Sequence, residues 1–189
     1  SISGSLSDLN IAYSAPSAEI TGLGNEAVTL TDGTLNDAEA GSDAAALNTL
    51  DGRTSGQINA ESVDSISGSI SDLGTAYTSS EIANLGDSDE TATTTDGTTT
   101  AAALNTLDVQ TDSATVDAGS VAIISGAVNE LNTAYAAGDI TGLGNEDVTL
   151  TDGTLNDAEA GSDAAALNTL DGRTSGQINA ESVDSISGS

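Results

Sequence analysis

The sequence predicts an α/β protein: an elongated repeat solenoid with parallel strands stacked in one sheet and short helices on the other side. Three observations lead there. A glycine preceded by Asp or Ser and followed by Thr, Ser or Ala recurs at Gly4, Gly33, Gly68, Gly97, Gly126, Gly153 and Gly188, at spacings of 27 to 35 residues. Each of the first six is followed by Leu-Asn or Leu-Gly and two small or apolar steps, at Leu9, Leu47, Leu73, Leu104, Leu131 and Leu167. Residues 20–69 and 140–189 match at every position but one, Ala27 against Asp147. Self-similarity at a period of 20–50 residues marks a solenoid or an array.

Two module types alternate, one ending in Leu and one ending in Ala-Tyr at Tyr13, Tyr77 and Tyr135. A full repeat is a pair of modules. The boundaries fall at 1–64, 65–122 (degenerate), 123–184 and 185–189, the start of a fourth, all in one continuous solenoid. The chain opens and closes on SISGS, as expected of a window cut from a longer array.

The elements follow in order. Ser5 and Asp8, like Ser69 and Asp72, have S-x-x-D spacing, a capping-box pattern that starts a helix just after the glycine. Ile70, Leu73 and Tyr77 then fall on one helical face, and Pro16 closes the first copy. In residues 20–33, Gly22 and Gly24 mark a turn, and Val28 and Leu30 alternate with threonines as a half-buried strand. Residues 34–43 form an acidic insert. Ser42 or Asp43 caps a short Ala-rich helix through Leu50, and Asp51-Gly52 stops it. Residues 54–67 admit two readings: strands at 57–59 and 63–67, or one helix capped by Asn59. Strands are preferred, because the third copy reads VAIISG and a mid-helix glycine costs about 1 kcal/mol. Residues 84–100 put Ala and Thr where the other copies have Val and Leu, so this coil is expected to be the least buried and most dynamic. The recurrent turn glycine is expected at positive φ, where a Cβ would clash. The Asn or Gly after each Leu is expected either in a polar ladder between coils or in solvated loops.

Composition narrows the chemistry. Of 189 residues, 2 are Lys or Arg and 30 are Asp or Glu, a formal net charge of −28. Both cations are arginines, Arg53 and Arg173. Such a surface repels nucleic acid and anionic lipid, and it suits a salty extracellular medium in which charge is screened within a few Å. An acidic intracellular protein is the plainer alternative. Cysteine is absent, which excludes disulfides and zinc–thiolate sites. No apolar run reaches the length of a membrane span, and no signal peptide is visible. Without His, Cys or Lys, no side chain is placed to activate the many serines, so the chain is not expected to be an enzyme. GLGNE has neither P-loop nor dinucleotide spacing and reads as a turn.

The acidic inserts are the best candidate site. Asp32, Asn36, Asp37, Glu39 and Asp43, repeated as Asp152, Asn156, Asp157, Glu159 and Asp163, offer hard oxygen ligands of the kind Ca²⁺ takes. The same residues also read as a solvated acidic loop, since their spacing is not that of an EF-hand. Asp87, Asp89 and Glu90 form a weaker third cluster. The tyrosines read as coil-edge packing rather than sugar platforms. Arg53 and Arg173 are expected to pair with a neighbouring carboxylate. The Thr-rich run at 91–100 raises an ice-binding or glycosylated face, with a poorly packed coil as the simpler account.

The phrases ITGLGNE-VTLTDGT, ALNTLDG-TSG and SISGSISDLGTAY resemble the repeats of giant repetitive cell-surface proteins of marine cyanobacteria, including the kind linked to swimming motility. The resemblance covers essentially the whole chain and implies an extracellular structural or adhesive array. It assigns no site residues. The expected function is a structural segment of a secreted repetitive surface or fibre protein. It would be an acidic extended spacer at the cell surface whose partners are its own neighbouring repeats, with self-association into filaments but no nucleic acid and no membrane insertion. The alternatives are a Ca²⁺-dependent adhesin or binding module, and a phage or virion fibre segment.

Overall fold

A computed structural model describes residues 1–16, 19–35, 42–86, 90–155 and 163–187. Six helices are present among them: α1 (Leu6–Ser14), α2 (Asp43–Asp51), α3 (Ile70–Thr78), α4 (Ala101–Gln110), α5 (Val128–Ala136) and α6 (Asp163–Asp171). The strands are β1 (Ile2–Gly4), β2 (Val28–Leu30), β3 (Ile58–Asn59), β4 (Ser65–Gly68), β5 (Ile82–Ala83), β6 (Thr91–Thr94), β7 (Thr98–Thr100), β8 (Thr115–Asp117), β9 (Ile123–Gly126), β10 (Ile140–Thr141), β11 (Asp147–Leu150) and β12 (Ile178–Asn179). The fold is α/β and every strand pair is parallel.

Local sequence explains the helix starts. Ser5 and Ser69 accept the Asp8 and Asp72 amides at 3.1 Å, Ser42 accepts the Ala45 amide at 3.2 Å, and Thr100 accepts the Ala103 amide at 3.1 Å. Each satisfies a donor that the first helical turn leaves open. Ala127 has no capping oxygen, and there the Glu130 carboxylate reaches back to the Ala127 amide at 3.2 Å. Residues 54–67 form strands, β3 and most of β4, as the β-branched spacing favours.

The strands make three sheets, not one. The first runs β1-β2-β3-β5, the second β4-β6-β8-β10 and the third β7-β9-β11-β12. The reason is a mismatch of period. Along a ladder, partners lie 24 to 31 residues apart in sequence, as in Ala92↔Val116 and Thr34↔Ser65. Helix starts are 27 to 37 residues apart. Each ladder therefore drifts against the helices until its next rung falls in or beside one. Beyond β10 a step of that size falls in α6, beyond β5 it falls in the second half of α4 or just past it, and before β7 it falls at the start of α3 or just ahead of it. There the sheet ends and another carries on beside it.

The helices lie in sequence order, α1 against α2, α2 against α3 and so on to α6. Their inner faces carry Leu9, Leu47, Leu73, Leu104 and Leu131, all buried in one core cluster with Val28, Ile58, Ile66, Val116, Ile124 and Val148 from the strands. Two expectations fail here. The coil at 84–100 is not the least buried: Ala92 and Thr94 are fully buried, and Thr99 is 9% exposed. Its place between paired strands decides burial, not its apolarity. The described recurrent turn glycines, Gly4, Gly33, Gly68, Gly97, Gly126 and Gly153, do not have positive φ either. That conformation belongs to Gly22, Gly24, Gly86, Gly142 and Gly144. Gly68 is required for space, since a Cβ there would lie 2.7 Å from Ala44 Cβ; at Gly126 the approach is looser, 3.1 Å from Ala101 Cβ.

Candidate functional site

The described acidic residues of the two candidate calcium sets are engaged inside the fold. Asp32 accepts the Leu6 amide at 2.7 Å, and Asp152 accepts the Val128 amide at 2.6 Å. Asp96, at the same repeat position, accepts the Ile70 amide at 2.8 Å. All three carboxylates sit at the N-terminus of a helix more than twenty residues earlier in the chain, where negative charge meets open amides and the positive end of the helix dipole. Asp43 accepts both the amide and the hydroxyl of Ser67, at 3.2 and 2.7 Å. Asp163 accepts the Ser187 amide at 2.8 Å. Asn36, Asp37, Glu39, Asn156, Asp157 and Glu159 lie outside the described residues, as do Asp87 and Asp89. Among the described residues no group of three or more His, Cys, Asp or Glu side chains is placed to hold a metal ion.

A second constellation is one the sequence reading missed. Glu26, Glu90 and Glu146 each close a glycine turn. Glu26 accepts the Gly24 and Asn25 amides at 2.8 and 3.2 Å. Glu90 accepts the Gly86 amide at 2.9 Å, and Glu146 the Gly144 amide at 2.8 Å and the Asn145 amide at 3.2 Å. Each also receives a tyrosine hydroxyl from the preceding helix: Tyr13 to Glu26 at 3.4 Å, Tyr77 to Glu90, and Tyr135 to Glu146 at 2.8 Å. Glu90 and Glu146 are 1% exposed. The backbone amide of Gly24, ahead of the other donors, holds the Glu26 carboxyl below the usual carboxylate range. Burial, then the facing carboxylate, pushes the Tyr77 phenol well above its ordinary value, and Tyr135 is raised the same way. A phenol kept protonated against a carboxylate ties the loop to the helix. The signal was legible: a Tyr followed 11 to 13 residues later by Glu in all three copies.

The third constellation links the helices. The side-chain amide of Asn10 donates to the Ala46 carbonyl at 3.1 Å, Asn48 to Asp72 at 2.9 Å, Asn105 to Glu130 at 3.0 Å and Asn132 to Ala166 at 3.2 Å. This is the polar ladder of the sequence reading. The arginines join it instead of pairing with carboxylates. Arg53 Nη1 donates to the Asn10 carbonyl at 2.9 Å and to Asn10 Oδ1 at 3.0 Å. Arg173 does the same to Asn132, with 3.0 Å to Oδ1. In each case a single terminal guanidinium nitrogen serves both oxygens of one asparagine.

No protein-family model matches the chain, and no curated protein or solved structure matches it either.

Proposed function

We propose that the chain is an elongated solenoid serving as a structural segment of a secreted repetitive surface or fibre protein, an acidic spacer that sets distance. One observation carries the reading: the helices pack in sequence order, four of their five joints tied by asparagine side-chain amides, while strands pair with those one ladder step on. A chain built this way grows by adding layers, and its stability is a sum of nearest-neighbour interfaces. The net charge of −28 keeps such an array hydrated and apart from like-charged arrays. The resemblance to cyanobacterial surface repeats supports an extracellular reading, with neighbouring repeats as the partners. Among the described residues no helix is long and apolar enough to cross a membrane.

The test is small-angle X-ray scattering on the chain and on a tandem duplicate in which residues 1–189 follow residue 184, so that SISGS is shared. The reading requires the maximum dimension to about double while the cross-section stays constant. A cross-section that grows with the duplicate contradicts it. Adding calcium to both samples separates the adhesin reading, which requires a saturable rise in melting temperature that magnesium does not reproduce.

A further inference from the structure

Five joints hold the six helices side by side, and their chemistry falls off toward the middle. The α1–α2 joint has the Asn10 amide and Arg53 Nη1, and the α5–α6 joint has Asn132 and Arg173. The α2–α3 and α4–α5 joints have Asn48 and Asn105 without an arginine, and the side-chain carbonyl of each is buried with no hydrogen-bond partner. At the α3–α4 joint the ladder position is Gly74, which has no side chain to donate.

No asparagine amide spans α3 and α4 there. A groove of about 480 Å³ lies between them, lined by Ile70, Gly74, Thr75, Ala103, Thr106 and Gln110 among others. The Gln110 side chain lies over Gly74 instead: a Cβ on Gly74 would lie 2.7 Å from its Oε1. A glycine inside a helix also loosens that helix itself. The sheets do not share this weakness, since β4 and β6 pair over four residues at the same level.

We propose that α3–α4 is the compliant joint of the helix layer: under strain the layer opens and bends here first, hinged on the intact strand ladder, while the joints on either side hold. The inference needs only the row of helices and stands whatever the chain's biological role. By repeat position, an asparagine at 74 would face the Ala103 carbonyl, the counterpart of Ala46, and the Gln110 side chain that stands in its way is long enough to swing aside.

Hydrogen exchange on the full chain tests it, with Gly74→Asn, Gly74→Ala and Asn105→Gly. In the parent, amides of α3 and α4 should exchange faster than those of α2 and α5. Gly74→Asn should slow α3 and the first turns of α4 by about fivefold to tenfold, the worth of one net hydrogen bond read through local opening. Gly74→Ala, which stiffens the helix without reaching across, should slow α3 alone. Asn105→Gly should quicken α4 and α5 by a similar factor. Equal exchange across all four inner helices in the parent overturns the proposal. So does a Gly74→Ala variant that protects α4 as well as Gly74→Asn does, or an Asn105→Gly variant that changes nothing.

Discussion

Strand β6 in the second sheet is the repeat counterpart of β2 in the first and β11 in the third, yet its side chains are different. Val28, Leu30 and Leu35 become Ala92, Thr94 and Thr99, and then Val148, Leu150 and Leu155 again. All nine are buried. The register is unchanged: Ile66↔Ala92 repeats Ile2↔Val28 and Ile124↔Val148. The middle copy keeps its geometry with a smaller apolar payload, and it contains its polar atoms locally. Thr94 Oγ1 accepts the Asp96 amide at 3.2 Å. The shorter connection to α4 also lets residues 98–100 form a full strand, where the outer copies make single bridges at Thr34 and Thr154. Pairing position sets what is buried, and side-chain size sets how much that burial stabilises.

The largest test of that comparison is steric. A Cβ on Gly56 would overlap the Glu26 carbonyl, and one on Gly176 the Glu146 carbonyl. The middle counterpart is Ala114, fully buried, facing a turn that is two residues longer. Gly56→Ala and Gly176→Ala should each cost about 3 kcal/mol or more by denaturant unfolding, as forced overpacking against backbone does. Ala114→Gly should cost only about 1 kcal/mol. Similar costs at all three positions would mean that the copies are not equivalent.

Next is payload. Leu30→Thr or Leu150→Thr converts an outer copy to the middle one. Either change should lose about 2–4 kcal/mol with the fold retained, from lost transfer energy and a residual cavity. A loss of register in the first or third sheet, seen as lost amide protection in β2 or β11, would show that the large side chains also specify the pairing.

The smallest effect concerns a pair of helix ends. Asp51, closing α2, receives the Ser79 hydroxyl at 2.9 Å. Asp108 stands at the same place in α4, where Ala137 replaces the serine. Burial, then the nearby charge of Asp139, raises the Asp108 carboxyl above its ordinary value. A raised carboxyl favours the folded state while protonated. Its contribution is complete below the unfolded pKa of about 4 and is lost as pH rises through the folded value. Asp108→Asn should therefore melt higher than the parent near neutral pH, with the gap closing in acid. Ala137→Ser should give part of that gain by restoring the hydroxyl. Parallel melting curves at all pH values would remove Asp108 from the explanation.

What the sequence made legible was local. Ser5 with Asp8 and Ser69 with Asp72 mark their helices because cap and amide are three residues apart. The Leu-Asn repeat pointed to a ladder because one side chain recurs at one helical position. The role of Asp32 was not legible, since its partner is the Leu6 amide on a separate helix, and its acidic neighbours drew attention to a metal instead. The three sheets were hidden for a related reason. Whether a ladder continues depends on where the next rung meets a helix, and that follows from two periods running side by side rather than from any segment's propensity. Arg53 misled because a carboxylate is the usual partner in so acidic a chain, whereas its Nη1 found two oxygens of Asn10.

Spin labels at Ile11, Thr75 and Thr133, matching positions on α1, α3 and α5, measure most directly whether packing runs only between neighbours. At 8–10 Å per helix step, the 11–75 and 75–133 distances should each be about 16–20 Å, and the 11–133 distance should be close to their sum. An 11–133 distance no longer than either of the other two would mean that the first and third units fold back on each other, and it would contradict the layered chain described above.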